Sequence, residues 1–331
     1  MKIDRNMLLS LTMALWAAVP VQSSAEVGPE FFDGKTINFI IGTEPGGGYD
    51  IYGRLVAEYM QRHLPGSTIV PRNMPGAGHI IGTNFIYASK PDGLTIGTFN
   101  TGLIYTQLAE EGSAKFDLGN MSWIGKVASD PRVLMVTKES GIETLDQLMA
   151  LETPIRFAGA GVGSGSVAET RLLIEALDLP VDLITGYNGG DDQLAMRRGE
   201  VQGLLASRSS VEDFARDTGA IFVAQVGGDD PNVPQLGNKV NGEMAERAIA
   251  LIDSQVSVVR LVAGPPDIPA DILGVLQNAF EAAVTDEAFL ERAETLGLPV
   301  DPLVGEDVAI AVREALDQPA EMVDLVKSVM R

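Results

Sequence analysis

The residues best suited to chemistry in this chain form a glycine loop at positions 45–50, with the sequence PGGGYD. The apolar run Ile37–Ile41 precedes the loop and predicts a buried strand, and apolar residues at helical spacing follow between positions 51 and 59. A helix that begins at such a loop has unpaired backbone N–H groups at its positive end, and glycines leave that end open to a ligand. The loop therefore predicts a binding site for an anion.

A second glycine-rich segment, residues 159–166 (GAGVGSGS), repeats this arrangement. It follows a short predicted strand, Ile155–Ala158, and precedes a predicted helix with Ala168 and Leu172 on its apolar side. Ligands of open α/β sheets bind at the carboxyl ends of the strands, where both loops lie. If the two units face each other, both helix N-termini point into one cleft, and each contributes about 0.3–1 kcal/mol toward binding a carboxylate.

The elements that must position these loops alternate between strands and helices, which predicts mainly parallel sheets flanked by helices. Residues 227–242 are rich in Gly, Pro, Asp and Asn and predict a loop. The predicted strands are 36–41, 67–72, 94–99, 123–127, 133–137, 155–158, 183–185, 201–206 and 256–263, and the predicted helices are 51–62, 80–88, 144–151, 168–177, 191–198, 270–283, 287–296 and one or more between 308 and 330.

Composition excludes several classes of function. The formal net charge of −21 argues against nucleic acid, whose binding proteins present a basic surface. The chain has no cysteine, so it has no disulfide, thiolate metal site or cysteine nucleophile. Its two histidines, His63 and His79, are separated and show no metal-ligand spacing. We therefore expect no metal and no cofactor, and we expect both histidines to have surface or capping roles, with His79 able to reach the cleft rim.

The N-terminus predicts a cleavable signal peptide over residues 1–25. Lys2 and Arg5 form a basic head, Met7–Val19 is apolar, and Ser23 and Ala25 suit a cleavage site. A membrane anchor is the weaker interpretation, because the run is short and ends at Pro20. We therefore expect a periplasmic protein.

Four segments resemble a known family. They are PGGGYD at 45–50, RLVAE at 54–58, NMPGAG at 73–78 and PDGLT at 91–95, and their order and spacing are similar to those of the substrate-binding proteins of tripartite tricarboxylate transporters, also called the Bug family. The segments at 161–164, 187–190 and 198–201 resemble the second half of that family more loosely. The resemblance implies a two-lobe α/β periplasmic binding protein of the type II clamshell class. We expect lobe 1 at 26–127 and 256–331 and lobe 2 at 128–255, with each lobe a mainly parallel sheet flanked by helices.

The resemblance also implies a small organic carboxylate held between the lobes and delivered to a large and a small membrane subunit. We expect the receptor to act as a monomer. Carried over to this chain, the family's ligand contacts fall on Gly46, Gly47, Gly48, Asp50, Thr101, Gly163, Ser164 and Tyr187.

Some positions depart from the family or admit a second interpretation. Tyr49, His79 and Val167 stand where the family usually has other residues, and Tyr49 is expected to narrow the pocket or stack on a ring. Asp50 suits a helix N-cap that orders the loop, with Arg54 as its i,i+4 partner. Two residues that end a predicted strand at the cleft, Ser207 and Arg208, are candidate specificity contacts, and Tyr187 is alternatively a core residue.

These patterns predict a solute-binding protein rather than an enzyme. An exported α/β hydrolase is a weaker alternative, because Ser164 and Ser166 lie in no Gly-x-Ser-x-Gly elbow and only two histidines could act as a base. A receptor that signals to a membrane kinase is a further alternative, which the sequence does not separate from transport.

Overall fold

The computed structural model describes residues 27–110, 112–161, 163–187 and 190–330. The predicted signal peptide lies outside these residues. In the described part of the chain, no helix is long and apolar enough to cross a membrane.

The first part of the chain alternates strands and helices up to residue 128. The elements are β1 (Thr36–Ile41), α1 (Gly48–Arg62), β2 (Thr68–Asn73), α2 (Ile80–Tyr87), β3 (Thr95–Phe99), α3 (Gly102–Leu108) and β4 (Ser122–Ala128).

The middle part builds a second unit. Its elements are β5 (Arg132–Val136), α4 (Leu145–Met149), β6 (Ile155–Gly159), α5 (Gly165–Leu177), β7 (Val181–Thr185), α6 (Asp191–Arg197), β8 (Gly203–Ser207), α7 (Arg208–Thr218), β9 (Ile221–Val226) and α8 (Glu243–Val256).

The last part returns to the first unit. Its elements are β10 (Val259–Gly264), α9 (Ala270–Val284), α10 (Glu287–Thr295), β11 (Leu303–Val304), α11 (Glu306–Leu316) and α12 (Ala320–Met330).

The strands form two sheets with the same internal order. The first sheet runs β11-β4-β10-β3-β1-β2 and the second runs β7-β6-β8-β5-β9. In the first sheet β1 pairs in parallel with β2 and β3, whereas β10 is antiparallel to both β3 and β4. In the second sheet β5 takes the place of β10, antiparallel to β8 and β9. Apart from short β11, each sheet is therefore a parallel set with one inserted strand that follows a crossing between the sheets, which confirms the two-lobe α/β fold.

The hydrophobic core explains how the sheets are joined. One cluster packs α1 and α9 against the first sheet, with Tyr52 and Phe280 almost fully buried. A second cluster combines residues of both units, among them Leu103 of α3, Leu172 of α5 and Leu251 of α8. Burial of each such side chain contributes about 1.5–3 kcal/mol, so the two units share part of their stability. The predicted lobe boundaries stay a prediction.

Most predicted elements are present, and five were missed. The missed elements are α3, α7, α8, β9 and the two-residue strand β11. The predicted strand 256–263 begins later, because Val256 ends α8 and β10 starts at Val259. The predicted loop 227–242 contains only a short 3-10 turn, Leu236–Asn238, among its described residues.

Candidate functional site

A cavity of about 350 Å³ lies between the two sheets, at the carboxyl ends of β1, β3, β6 and β8. Its volume suits a small organic molecule. Both units line it, and the residues used below are the first glycine loop, Thr101, the start of α5, the end of β8, and the side chains of His79, Arg132, Tyr187, Asp192 and Arg260.

The first glycine loop presents free backbone donors to this cavity. Gly47 is the N-cap of α1, with extended backbone angles, and Gly46 before it has φ +95°. The backbone N–H groups of Gly47, Gly48 and Tyr49 donate no hydrogen bond to the described residues. These groups lie at the positive end of a 15-residue helix and line the cavity, so the loop can hold an anion.

Asp50 orders this loop from behind and does not line the cavity. The predicted N-cap role is wrong, because the glycines extend the helix and place Asp50 inside its first turn. Its carboxylate accepts hydrogen bonds from Gly46 N–H (3.0 Å), Arg54 Nε (2.9 Å) and Asn73 Nδ2 (2.8 Å). Burial raises the pKa of Asp50, but the hydrogen bonds from Arg54, Asn73 and Gly46 outweigh it and hold the pKa below its usual range. The predicted Arg54 ion pair is present.

The second glycine loop starts α5 on the opposite side of the cavity. Ser164 is the N-cap, and its Oγ accepts the Val167 N–H at 3.4 Å. Ser164 and Gly165 line the cavity, whereas Gly163 does not. A Cβ on Gly163 would lie 2.6 Å from the carbonyl oxygen of Ala77, so this glycine is required by close backbone packing.

Glycines of the two units meet directly along one edge of the cavity. A Cβ on Gly78 would lie 2.2 Å from the backbone nitrogen of Ser164, and a Cβ on Gly102 would lie 2.3 Å from that of Gly165. A Cβ on Gly161 would in turn lie 2.5 Å from the nitrogen of Gly78. We call the contact of Gly78 and Gly102 with Gly161 and residues 163–165 the glycine seam. It brings the two backbones closer than any side chain would allow.

Arg260 forms one charged wall of the cavity. Its Nη2 donates to Asp130 Oδ2 (3.1 Å) and Ser210 Oγ (3.0 Å), and both charged side chains are almost fully buried. The guanidinium lies over the rings of Tyr49 and Tyr52, 4.1 and 4.9 Å from their centroids. Arg260 has φ +59°, a left-handed conformation that is costly for a residue with a side chain. Tertiary contacts therefore stabilise a strained backbone at Arg260, and this backbone places the guanidinium beside the α1 N-terminus.

Arg132 forms a second charged wall near α5. Its Nε donates to Glu169 Oε2 (2.6 Å) and its Nη1 donates to Ser207 Oγ (2.9 Å). Burial raises the pKa of Glu169, and Arg132 opposes that shift. The second carboxylate oxygen of Glu169 has no hydrogen-bond partner among the described residues.

His79 is buried, so the predicted surface role is wrong. It takes the N-cap position of α2 without a side-chain cap hydrogen bond, and it lines the cavity, as the alternative predictions of a capping role and of reach to the cleft allowed. It is 3% exposed, has φ +80°, and its ring packs edge-on against Tyr49 with centroids 4.8 Å apart. Burial lowers the pKa of His79 to about 3, with a further lowering by the charge of Arg260. The imidazole is therefore neutral at physiological pH and shapes the cavity without adding charge. His63 lies away from the cavity, with its Nε2 3.9 Å from Asp286 Oδ2.

Asp192, near the start of α6, is a half-buried carboxylate on the cavity wall. Burial raises its pKa to about 6. Tyr187, also half-buried, lines the cavity while its ring packs against a core cluster of the second unit. Arg208 does not line the cavity, and instead pairs with Glu212 (2.6 Å) and Asp230 (2.7 Å).

The cavity brings together eight of the ten predicted ligand contacts and leaves out Asp50 and Gly163. Whether the eight touch a ligand stays a prediction. The eight are Gly46, Gly47, Gly48, Tyr49, Thr101, Ser164, Tyr187 and Ser207.

Sequence reasoning missed Arg132, Arg260 and Asp192. Arg260 is a lone charge inside the apolar run 256–263, and Glu169 interrupts the apolar side of α5. Both are signals of buried ion pairs. Among the described residues no cluster of three potential metal ligands occurs.

Comparison with known proteins identifies the family of this chain. Residues 52–323 match the family described as "Tripartite tricarboxylate transporter family receptor". The chain belongs to this family. The receptor is 26% identical over 325 residues to the UPF0065 protein in the TAR-I ttuE-ttuC' intergenic region of Agrobacterium vitis, covering 94% of this chain and 85% of that protein. It is 25% identical over 325 residues to a UPF0065 protein of Bordetella pertussis, covering 94% of this chain and 95% of that protein.

Solved structures agree with the fold of this receptor. The periplasmic binding protein BugD superposes with a TM-score of 0.76 at 20% identity, covering 89% of this chain and 97% of BugD. MatC from Rhodopseudomonas palustris with bound malate superposes with a TM-score of 0.73 at 20% identity, covering 89% of this chain and 99% of MatC. The predicted family is thus confirmed, and the family and fold are those of binding proteins.

Proposed function

We propose that this receptor captures a small carboxylate in the periplasm and delivers it, as a monomer and without chemical change, to the large and small membrane subunits of a tripartite tricarboxylate-type transporter. The proposal rests on the N–H groups of Gly47, Gly48 and Tyr49, which have no partner among the described residues and belong to residues that line the cavity at a helix N-terminus. The structures of MatC with bound malate and of R. palustris Rpa4515 with adipate support a carboxylate ligand.

The geometry accounts for capture in two steps. The α1 N-terminus and the adjacent Arg260 offer donors and positive potential to a carboxylate that enters between the units. Approach of the two units then removes water from the anion and strengthens each of these interactions. Ser210 of α7 lies against Gly48 of α1, where an added Cβ would be 2.5 Å from its Oγ. This contact joins the two units across the cavity, so it forms as they close, and closure in turn presents a surface to the membrane subunits.

Neutral His79 gives no support to hydrolysis. Its Nδ1 has no hydrogen-bond partner among the described residues, so no described serine hydroxyl is paired with that nitrogen. Signalling to a membrane kinase would use the same closed surface. Deletion of the gene distinguishes the two roles, because loss of uptake indicates transport, whereas loss of induction with intact uptake indicates sensing.

The test is a thermal-shift screen of the chain from Glu26 onward against mono-, di- and tricarboxylates, amino acids and aromatic acids. Binding to the folded state alone stabilises it by RT ln(1 + [L]/Kd), about 2.7 kcal/mol at a hundredfold excess over Kd. Unfolding and refolding first remove any ligand carried through purification, and native mass spectrometry before and after this step identifies it. If no carboxylate stabilises the refolded receptor, the proposal is wrong.

A pair of variants locates the site. Gly47→Val keeps backbone angles that valine adopts and places a branched side chain at the donors, so it should abolish the shift. Gly112→Val is the control, because a Cβ there meets nothing within 4 Å and Gly112 does not line the cavity. Equal shifts in both variants would place the ligand elsewhere.

A further inference from the structure

The charged groups of the cavity are not balanced. Arg260 and Arg132 each have a buried carboxylate partner, Asp130 and Glu169, so these four groups cancel in pairs. Asp192 also lies on the wall and forms no ion pair with the described residues. With Asp192 ionised, the empty cavity therefore carries one net negative charge although it offers anion-binding donors.

Asp192 has little to satisfy it within the protein. Its Oδ1 accepts a hydrogen bond from the backbone N–H of Gln193 at 2.7 Å. No side chain of the described residues donates a hydrogen bond to the Asp192 carboxylate. Water-poor surroundings penalise the ionised form, which agrees with the raised pKa of Asp192. A half-buried carboxylate of this kind is satisfied best by a cation that enters with the ligand.

Asp192 is also close to the anion-binding wall. The side chain of its neighbour Gln193 donates from Nε2 to the carbonyl oxygen of Ser210 at 2.9 Å, and the Oγ of Ser210 accepts from Arg260 at 3.0 Å. Asp213 is the other acidic residue at the rim, but it is exposed and pairs with Arg216 at 2.6 Å. One small molecule can therefore meet the positive wall and Asp192 together.

Electrostatics of this arrangement select between ligand classes. A ligand whose only charges are carboxylates brings more negative charge to a cavity that already has one uncompensated carboxylate, and like charges held together out of water oppose binding. A ligand that carries an ammonium group beside its carboxylate pairs both of its charges.

We infer that the receptor binds an amino carboxylic acid, whose carboxylate lies at the α1 N-terminus and Arg260 and whose ammonium group pairs with Asp192. The inference rests on the proposed function and narrows its substrate class. Asp192 is then a specificity residue that rejects acids lacking the amino group.

The test uses matched probes that differ only at the amino position. They are alanine, lactate and propionate; aspartate, malate and succinate; glutamate, 2-hydroxyglutarate and glutarate; phenylalanine, phenyllactate and phenylpropionate. Titration calorimetry at pH 7.5 measures each with the unaltered receptor, Asp192→Asn and Asp191→Asn. Asp191 is the matched control, because it lies in the same first turn of α6, is exposed and does not line the cavity.

We expect the amino member of at least one set to bind most tightly. Asp192→Asn should lower its affinity about ten- to hundred-fold, as for loss of a desolvated ionic partner, and should raise the affinity of the acid without a substituent. Asp191→Asn should change neither. These opposite changes in affinity for the two acids distinguish a direct contact from a general loss of folding, which would weaken the binding of both.

Tighter binding of a hydroxy or unsubstituted acid than of its amino partner would overturn the inference and leave the proposed function standing. So would an equal loss for both acids in Asp192→Asn. If no probe binds, the inference is wrong, and the wider carboxylate screen decides separately whether the proposed function fails with it.

Discussion

The glycine seam allows a quantitative test of closure through Gly78→Ala. Gly78 has φ +61°, and its added Cβ would lie 2.2 Å from the nitrogen of Ser164 and 2.3 Å from the carbonyl carbon of Gly163. Van der Waals contact requires more than about 3.4 Å between such atoms, so the two backbones must separate by about 1 Å. The substitution therefore acts on the contact between the units.

The energetic effect of Gly78→Ala has two parts. The left-handed conformation costs alanine about 1 kcal/mol relative to glycine. Overpacking of the seam adds about 1–3 kcal/mol unless the units move apart. Gly141→Ala isolates the first part, because Gly141 has a similar φ of +71° and a Cβ there meets nothing within 4 Å.

Urea denaturation, small-angle X-ray scattering and calorimetry with a ligand from the screen measure the outcome. Gly141→Ala should lose about 1 kcal/mol of unfolding free energy and keep its ligand affinity. Gly78→Ala should lose about 2–4 kcal/mol of unfolding free energy, or else lose only the ~1 kcal/mol of the left-handed conformation while its radius of gyration increases. In both cases it should bind ligand at least tenfold more weakly. If the two variants match in stability, radius and affinity, the seam does not control closure.

Three further predictions follow from buried charges and a helix cap. Asp192→Asn should stabilise the ligand-free receptor near pH 7.5, because the pKa of Asp192 is about 6 in the folded protein and 3.8 in the unfolded chain. This difference penalises the ionised form by up to about 3 kcal/mol, and the gain in stability should vanish below pH 4, which denaturation curves between pH 4 and 7.5 measure. Glu169→Gln should cost about 3–5 kcal/mol by leaving Arg132 without its buried counter-charge, and Arg132→Met/Glu169→Met should recover much of this loss; a single variant as stable as the parent would contradict the ion pair. Thr144→Ala should cost about 1 kcal/mol in chemical denaturation by removing the capping box with Gln147, and no change would show that α4 is held by packing alone.

Local patterns predicted most of the fold because each α/β unit has its own periodicity. Helix α7 was missed although Val211, Phe214 and Ala215 follow helical spacing, because the helix begins at Arg208 without any intervening loop after β8. Helix α3 was missed because it is short and opens at Gly102, a residue that ordinarily disfavours a helix interior. Packing against α5 stabilises this helix, and α5 lies about sixty residues away, outside any local sequence window.

The candidate site was predictable in its backbone and not in its charges. Glycine runs after strands indicate helix N-termini, and this local rule placed both loops. The ion pairs join residues more than thirty positions apart, Arg132 to Glu169 and Arg260 to Asp130, so no local sequence pattern shows which charges are paired. The rule also misplaced the cap of α1 by three residues, since Gly47 takes the position expected for Asp50.

The left-handed backbone at Arg260 affects how the ligand specificity of this binding site can change through mutation. Most replacements would keep the backbone strain and lose the charge, whereas glycine would lose the charge and relieve the strain. Asp130 would still accept hydrogen bonds from the backbone and hydroxyl of Ser209, at 3.1 and 2.5 Å. Arg132 differs in both respects. Its φ is not positive, so a substitution there relieves no strain, and the carboxylate of Glu169 accepts no hydrogen bond from any other described residue. Loss of Arg260 therefore leaves Asp130 with two donors from Ser209, whereas loss of Arg132 leaves the Glu169 carboxylate with none among the described residues. A change of ligand specificity through mutation is accordingly less costly to the fold at Arg260 than at Arg132.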